Sequence, residues 1–195
     1  MSDHEQQPAP RRGKILEALA RAERKVFTRP APKSANAQVK FLLTRMKKTA
    51  KDLAEHVGTS TRTIERYRAG KLKTPQKRLQ AALVEATESE WQPQVRAQAR
   101  ERASTSGGMS VEVTAYFGFT CTGSSDDGRE RQITTDISPY YVKQILALQD
   151  AGATEEELHP IVAEAIVESY FTDWGTRADG LRADFTAVTK IDFRF

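Results

Sequence analysis

The chain has 195 residues, 38% hydrophobic and 29% charged, which is enough for one medium-sized folded domain or two small ones. A single cysteine excludes an internal disulfide framework and a cysteine-based zinc site, and no apolar run approaches the roughly 20 residues of a membrane span. The polar N-terminus lacks the apolar segment of a secretion signal, so we expect a cytoplasmic protein in a reducing compartment.

The net charge of +4 hides a difference between the two halves of the chain. Residues 1–105 hold 23 Lys and Arg against 11 Asp and Glu, whereas residues 106–195 hold 7 against 15. The first half is therefore +12 and the second −8. Because a basic surface attracts polyanions and an acidic one repels them, this split predicts two domains with different partners.

The first half is predicted to be helical after a disordered tail at residues 1–13. Apolar residues recur at helical spacing over 14–27 and again over 36–47. Thr74-Pro75 predicts the start of a later helix, with a capping hydroxyl and a proline at the first helical position.

One further helix is predicted to open at Trp91-Gln92-Pro93. Its arginines, Arg96 and Arg100 among them, form either a second DNA-facing stripe or an ordinary solvated face. Residues 104–108 have the composition of a flexible linker. We therefore expect a helical domain over 14–104 and a second domain over 109–195.

The second half predicts a small α+β domain with an antiparallel sheet and two helices. Residues 109–119 alternate apolar and polar side chains, which is the period of a half-buried strand. The remaining elements are predicted as a loop at 120–128, a strand at 131–137, a helix from Ser138-Pro139 to about 152, a helix capped at Thr154 that Pro160 delays or kinks, and a strand at 185–195.

Residues 49–69 carry the pattern of a helix-turn-helix. Thr49 and Asp52 have the spacing of a capping box at the start of one helix. Gly58 supplies the positive φ of a tight turn, and Ser60 can cap the second helix. A helix-turn-helix binds double-stranded DNA by placing its second helix in the major groove. The other interpretation is a helical hairpin that serves only the core.

The candidate DNA-binding residues lie on the second helix and just after it. Arg62 and Arg66 are the first choices, because a guanidinium can bind guanine or a phosphate with two hydrogen bonds. On a purely structural surface they would instead pair with Glu65 or Asp52. The full candidate set is Ser60, Thr61, Arg62, Glu65, Arg66, Arg68, Lys71 and Lys73.

The loop at 120–128 contains four hydroxyl side chains and two adjacent acids, Asp126 and Asp127. Composition alone predicts a turn whose hydroxyls are capping or solvated. No histidine lies within it to act as a base, and the three histidines of the chain do not have metal-ligand spacing to one another. We predict no metal ion and no cofactor of the protein's own.

Taken together, the chain resembles the telomeric terminal proteins of Streptomyces-type linear chromosomes and plasmids. The resemblance covers about residues 14–195 of the sequence. It rests on the helix-turn-helix followed by Trp91-Gln-Pro-Gln-Val-Arg96, Thr105-Ser-Gly-Gly108, Phe117-Gly-Phe-Thr120, Asp150-Ala-Gly-Ala-Thr-Glu-Glu-Glu-Leu158, Tyr170-Phe171 and the alternating C-terminal segment.

The resemblance implies a protein that primes DNA synthesis and is not itself an enzyme. A side-chain hydroxyl accepts the first deoxynucleotide at the 5′ end of a linear replicon, and a DNA polymerase supplies Mg²⁺ and the dNTP. The implied partners are telomeric DNA, a telomere-associated protein, the polymerase and a second copy of the chain. The implied location is the nucleoid, at replicon ends.

The resemblance also implies an acceptor position. The family uses a threonine in the region of the 120–128 loop, and the matching position here is Ser125. The alternatives are Thr120, Thr122, Ser124 and, because it lies on a predicted strand, less favourably Thr114. The competing interpretation of the whole chain is a helix-turn-helix transcriptional regulator whose second domain dimerises or binds a ligand.

Overall fold

The computed structural model describes residues 13–120, 128–171 and 182–195. Within these ranges the chain forms eight α-helices, two short π-helical turns and three strands, which confirms the predicted α+β class. The helices are α1 (Lys14–Lys25), α2 (Ala35–Arg45), α3 (Ala50–His56), α4 (Thr61–Arg68), α5 (Lys77–Glu90), α6 (Pro93–Arg102), α7 (Pro139–Asp150) and α8 (Glu155–Ile166). The strands are β1 (Met109–Thr120), β2 (Arg129–Ile137) and β3 (Arg182–Arg194), and the π-turns are Ala103–Gly107 and Val167–Phe171. All but the last residue of the predicted tail lie outside the described residues.

The chain divides into two compact units that do not match the predicted domains. Residues 27–96 form the helical unit, and residues 1–26 together with 97–195 form the sheet unit. The predicted domain over 14–104 is therefore wrong at both ends. The reason is that the apolar stripe of α1, with Ile15 and Leu19 fully buried, belongs to the core of the sheet unit. The second boundary falls inside α6.

The helical unit is built around α2, which packs against α4 and α5, while α3 packs against α4. Its core is aliphatic apart from Tyr67. The predicted helix start at Thr74-Pro75 is wrong, because α5 begins at Lys77. The Tyr67 hydroxyl donates a hydrogen bond to the Thr74 carbonyl (3.2 Å), so this carbonyl is engaged outside any helix.

The sheet unit has the strand order β2-β1-β3, antiparallel throughout. Helix α8 packs across β3 and β2, α7 packs on α8, and α1 lies along β3. The core contains three fully buried phenylalanines: Phe117, Phe185 and Phe193. The predicted antiparallel sheet and the two helices of the second half are confirmed, and α1 adds a third helix that no local pattern assigns there.

Helix α1 covers the edge strand β3. Lys14 Nζ donates to the Val188 carbonyl and Arg21 donates to the Ile191 carbonyl (2.7 Å). Arg21 and Lys25 also pair with Asp192, at 3.5 and 2.5 Å. Because an open strand edge invites pairing with another chain, these contacts protect the edge.

Two local predictions in the sheet unit need correction. Residues 104–108 are not a linker, since the Ala103–Gly107 π-turn packs on α7, with Ala103 buried. Pro160 does not delay its helix, because α8 starts at Glu155 and continues through it. The capping box of α8 is strong enough to set the start: Thr154 accepts from the Glu157 amide and the Glu157 carboxylate accepts from the Thr154 amide.

Candidate nucleic-acid interface

The helix pair α3–α4 begins at the predicted capping box. The Thr49 amide donates to Asp52 Oδ2 (2.9 Å), and the Thr49 hydroxyl accepts from the Asp52 amide (3.3 Å). The hydrogen bonds from Thr49, with help from the charges of Lys48 and Lys51, hold the pKa of Asp52 below its ordinary value. This carboxylate is therefore engaged in capping.

The turn between the two helices is tight because α3 ends on a left-handed glycine. Gly58 has φ +69°, and the amide of Thr59 donates back to the Ala54 carbonyl (2.8 Å). Ser60 then caps α4 by accepting from the Thr63 amide (3.2 Å). Both predicted roles, the positive φ at Gly58 and the cap at Ser60, are confirmed.

Buried side chains fix α4 on the rest of the helical unit. Ile64 is fully buried and Tyr67 nearly so, one helical turn apart. The Asn36 side chain on α2 donates to the carbonyls of Tyr67 (2.7 Å) and Arg68 (3.0 Å) at the end of α4. The inner face and the C-terminal end of α4 are therefore both held in place.

The outer face of α4 presents two exposed guanidinium groups. Arg62 and Arg66 are exposed, lie four residues apart on one side of the helix, and make no ion pair with any residue that the structure describes. Glu65 is exposed between them. The alternative interpretation, in which these arginines pair with Glu65 or Asp52, is therefore not the arrangement found.

The other candidate residues are distributed around this face. Ser60 is exposed but is used as the cap, and Thr61 is half-buried in the first turn. Arg68, Lys71 and Lys73 are all exposed. Lys71 and Lys73 follow the left-handed Gly70 (φ +71°), which ends α4, so they lie beyond the helix.

A basic groove borders α4 on the side of α2. It has a volume of about 670 Å³, and three cationic side chains line it: Lys40, Lys48 and Arg68. The rest of the lining is Leu43, Thr44, Thr49 and Ala50, with no carboxylate. Of the three cations only Arg68 belongs to the candidate set given above, although Lys48 is one of the basic residues that flank the helix pair in the sequence. Lys40 lies on the exposed side of α2, and no local spacing connects it to the helix pair.

Two of the three arginines of α6, Arg96 and Arg100, are held by intramolecular contacts and so do not form a DNA-facing stripe. Arg96 donates to the carbonyls of Glu88 (3.4 Å) and Ser89 (2.6 Å) within the helical unit. Arg100 pairs with Glu23 (3.2 Å) and Asp150 (2.6 Å) within the sheet unit. Because both guanidinium groups are occupied by intramolecular partners, the second interpretation, a merely solvated face, does not describe them either.

Most of the predicted priming hydroxyls lie outside the described residues: Thr122, Ser124 and Ser125. Thr120 is the last residue of β1. Thr114 is half-buried in the middle of β1, with Gln132 on one side and Lys190 on the other in the sheet register. Its placement on a strand is confirmed.

The two units also differ in net charge, although by less than the two halves of the sequence do. Residues 27–96 hold fifteen Lys and Arg against six Asp and Glu, a net +9, which leaves the sheet unit at −5. Across residues 13–120, 128–171 and 182–195 no three His, Cys, Asp or Glu side chains are grouped to hold a metal ion. In the same ranges no helix has the length and apolar character needed to cross a membrane.

Comparison of the chain with protein-family models, with curated proteins and with solved structures finds no match.

Proposed function

We propose that the helical unit binds double-stranded DNA, with α3 and α4 as a helix-turn-helix and α4 in the major groove. The observation that carries this proposal is the pair of exposed guanidinium groups of Arg62 and Arg66, which form no ion pair with the described residues, on a helix whose opposite face is buried. Leaving two cations unpaired on a fixed helix adds nothing to folding, whereas base edges and phosphates offer the acceptors that a guanidinium binds.

The electrostatics of the unit support the same conclusion. A net charge of +9 over 70 residues favours encounter with a polyanion. If about six phosphates are neutralised, the logarithm of the affinity falls with a slope of roughly −5 against the logarithm of the salt concentration.

The test is fluorescence anisotropy of the full chain on labelled duplexes. We expect R62Q/R66Q to lose about 1–3 kcal/mol of binding free energy per guanidinium and to lose discrimination between duplex sequences. The matched control, K33Q/K77Q, removes the same charge from exposed positions of the same unit outside α4. Equal losses in both variants, or a wild-type salt slope near zero, would contradict the proposal.

We further propose that the protein is a telomeric terminal protein in which Ser125 is the priming hydroxyl. This part is supported by the resemblance described above and by the sheet, because β1 and β2 form a hairpin whose connection contains the hydroxyl-rich segment. The serine oxygen would attack the α-phosphorus of a dNTP held by the polymerase. A P–O bond to the serine forms, pyrophosphate leaves, and the hydroxyl proton passes to solvent or a polymerase base.

Labelled dCTP, polymerase and a telomeric template test the priming role directly. We expect covalent label on a peptide within residues 114–129, retained in S125T and lost in S125A. Label on any other peptide would dispose of the assignment. Label in S125A on the same peptide would move the acceptor to Thr120, Thr122, Ser124 or Thr114.

The remaining partners and location follow from the same role: a telomere-associated protein, the polymerase and self-association at replicon ends in the nucleoid. A transcriptional regulator is the competing function. Replicon ends capped by this protein should resist 5′-exonuclease until protease or alkali treatment, whereas a regulator would dissociate in high salt or detergent.

A further inference from the structure

We propose that the groove between α2, the α2–α3 turn and the end of α4 is a polyphosphate-binding subsite that holds the sugar-phosphate backbone beside α4. This inference rests on the proposed DNA binding for its biological role, but the site itself is argued from its own geometry.

The first argument is convergence of charge. Lys40 comes from α2, Lys48 from the turn before α3, and Arg68 from the end of α4. All three are exposed, and none forms an ion pair with the part of the chain that the structure describes. Three cations from separate elements around one groove create a positive potential, and the charge of Lys48 also acts on the capping carboxylate of Asp52.

The second argument is that the neutral lining offers no competing ligand. Thr44 donates its hydroxyl to the Lys40 carbonyl (2.9 Å), and Thr49 donates its own to Asp52 (2.8 Å). Leu43 and Ala50 are half-buried and apolar. The groups of the groove that remain available to a ligand are therefore its cationic side chains. They favour an anion with several negative groups.

The third argument is the backbone of the turn that carries Lys48. Lys47, its neighbour, has φ +51°, a left-handed conformation that costs a non-glycine residue about 1 kcal/mol or more. A glycine would adopt it without that cost. The strained turn leads from α2 into α3 and brings Lys48 to the groove.

The position of Arg68 indicates which part of the DNA the groove contacts. Arg68 follows Arg66 by two residues, about 200° around the helix, so it projects from the side of α4 toward α2 and not from the outer face. Contacts there reach a phosphate backbone and not the base edges in front of α4. They should supply affinity without sequence information.

The first experiment tests the site without DNA. Inorganic tripolyphosphate is titrated into ¹⁵N-labelled full-length protein at constant ionic strength. We expect amide shifts at Thr44, Thr49 and Ala50 in the wild type and in the charge-matched control K33Q/K77Q/R78Q, and none in K40Q/K48Q/R68Q. No shifts in the wild type, or equal shifts in both triple variants, would overturn the subsite.

The second experiment tests its role on DNA, by anisotropy between 50 and 300 mM KCl. Removing three phosphate-binding cations should flatten the salt slope by about 2.7 and weaken binding about fivefold per cation near 0.15 M salt. We expect K40Q/K48Q/R68Q to show this while keeping the wild-type preference between duplex sequences. An altered preference, or the same loss of affinity in the control triple, would overturn the assigned role.

The two experiments distinguish a failure of the subsite from a failure of the proposed DNA binding. If the wild type binds tripolyphosphate but no duplex, the subsite stands as a polyphosphate site and the proposed DNA binding fails. If it binds duplex but the groove variant behaves as wild type in both experiments, the subsite fails and DNA binding by α4 stands. Thermal unfolding by circular dichroism confirms that each variant is folded.

Discussion

The two units differ in how their best-placed cationic side chains are used. In the sheet unit Arg21, Lys25, Arg100 and Lys190 all pair with carboxylates. In the helical unit Arg62, Arg66 and the three groove cations have no ion pair within the described chain, and Arg45, paired with Glu90 at 3.6 Å, is an exception.

This difference shows that the ion pairing of a cation, more than the net charge of its unit, indicates whether the side chain serves folding or binding. Arg100 and Arg66 are both arginines in helices of the basic first half of the sequence. Arg100 stabilises the fold, since its side chain is 20% exposed and bonded to Glu23, whereas Arg66 is exposed and has no ion pair among the residues that the structure describes. Variants of the two kinds of cation should therefore separate stability from binding.

The largest effect is expected at Arg100. R100Q removes the guanidinium that bonds to Glu23, whose side chain is 13% exposed, and to Asp150 and the Leu146 carbonyl, so we expect the free energy of unfolding to fall by about 2–4 kcal/mol. R62Q should change it by less than about 0.5 kcal/mol. Urea denaturation measures both. DNA affinity should be unchanged in R100Q within about twofold. A folded R100Q of wild-type stability and weakened DNA affinity would place Arg100 at the interface after all.

A smaller effect is expected at Glu155, which links two helices of the sheet unit. Its carboxylate accepts from the amides of Ile15 (2.8 Å) and Leu16 (3.3 Å) and so caps α1 from α8. E155A should lower the free energy of unfolding by about 1–2 kcal/mol and reduce hydrogen-exchange protection in α1. E156A, an exposed acid in the same first turn of α8, is the control. Equal effects of the two variants would show that the helix terminus of α8, and not α1, is responsible.

The smallest effect is a pH dependence at Asp192. Burial raises its pKa, but the hydrogen bonds and charges of Lys25 and Arg21 outweigh it and hold the pKa below the ordinary 3.8. The folded state therefore releases this proton more readily than the unfolded state, so the stabilisation is present above pH 3.8 and is lost as the pH falls through the lowered value.

We therefore expect D192N to be less stable than wild type near neutral pH, with the difference shrinking in acid. Denaturation at several pH values measures it. A difference that stays constant down to the acid range would mean that the side chain acts by packing and not by its charge. D52N is a comparison in the helical unit, where hydrogen bonds from Thr49 lower the carboxyl pKa.

Much of the candidate interface could be predicted because its signals are local. The capping box at Thr49, the left-handed Gly58 and the cap at Ser60 each involve residues within five positions of one another. The same holds for the capping box at Thr154 and for the alternating pattern of β1. A groove built by Lys40, Lys48 and Arg68 could not be predicted, because it depends on how α2 packs against α4.

The sequence by itself determined the α+β class, the positions of most helices and strands, and the exposed face of α4, since backbone hydrogen bonding and side-chain periodicity act over a few residues. Tertiary structure alone decided that α1 lies along β3, more than 150 residues away in the chain. It also decided that Arg100 forms an ion pair with Glu23. Both outcomes depend on which distant surface buries an apolar stripe or meets a charge, and periodicity carries no information about that partner.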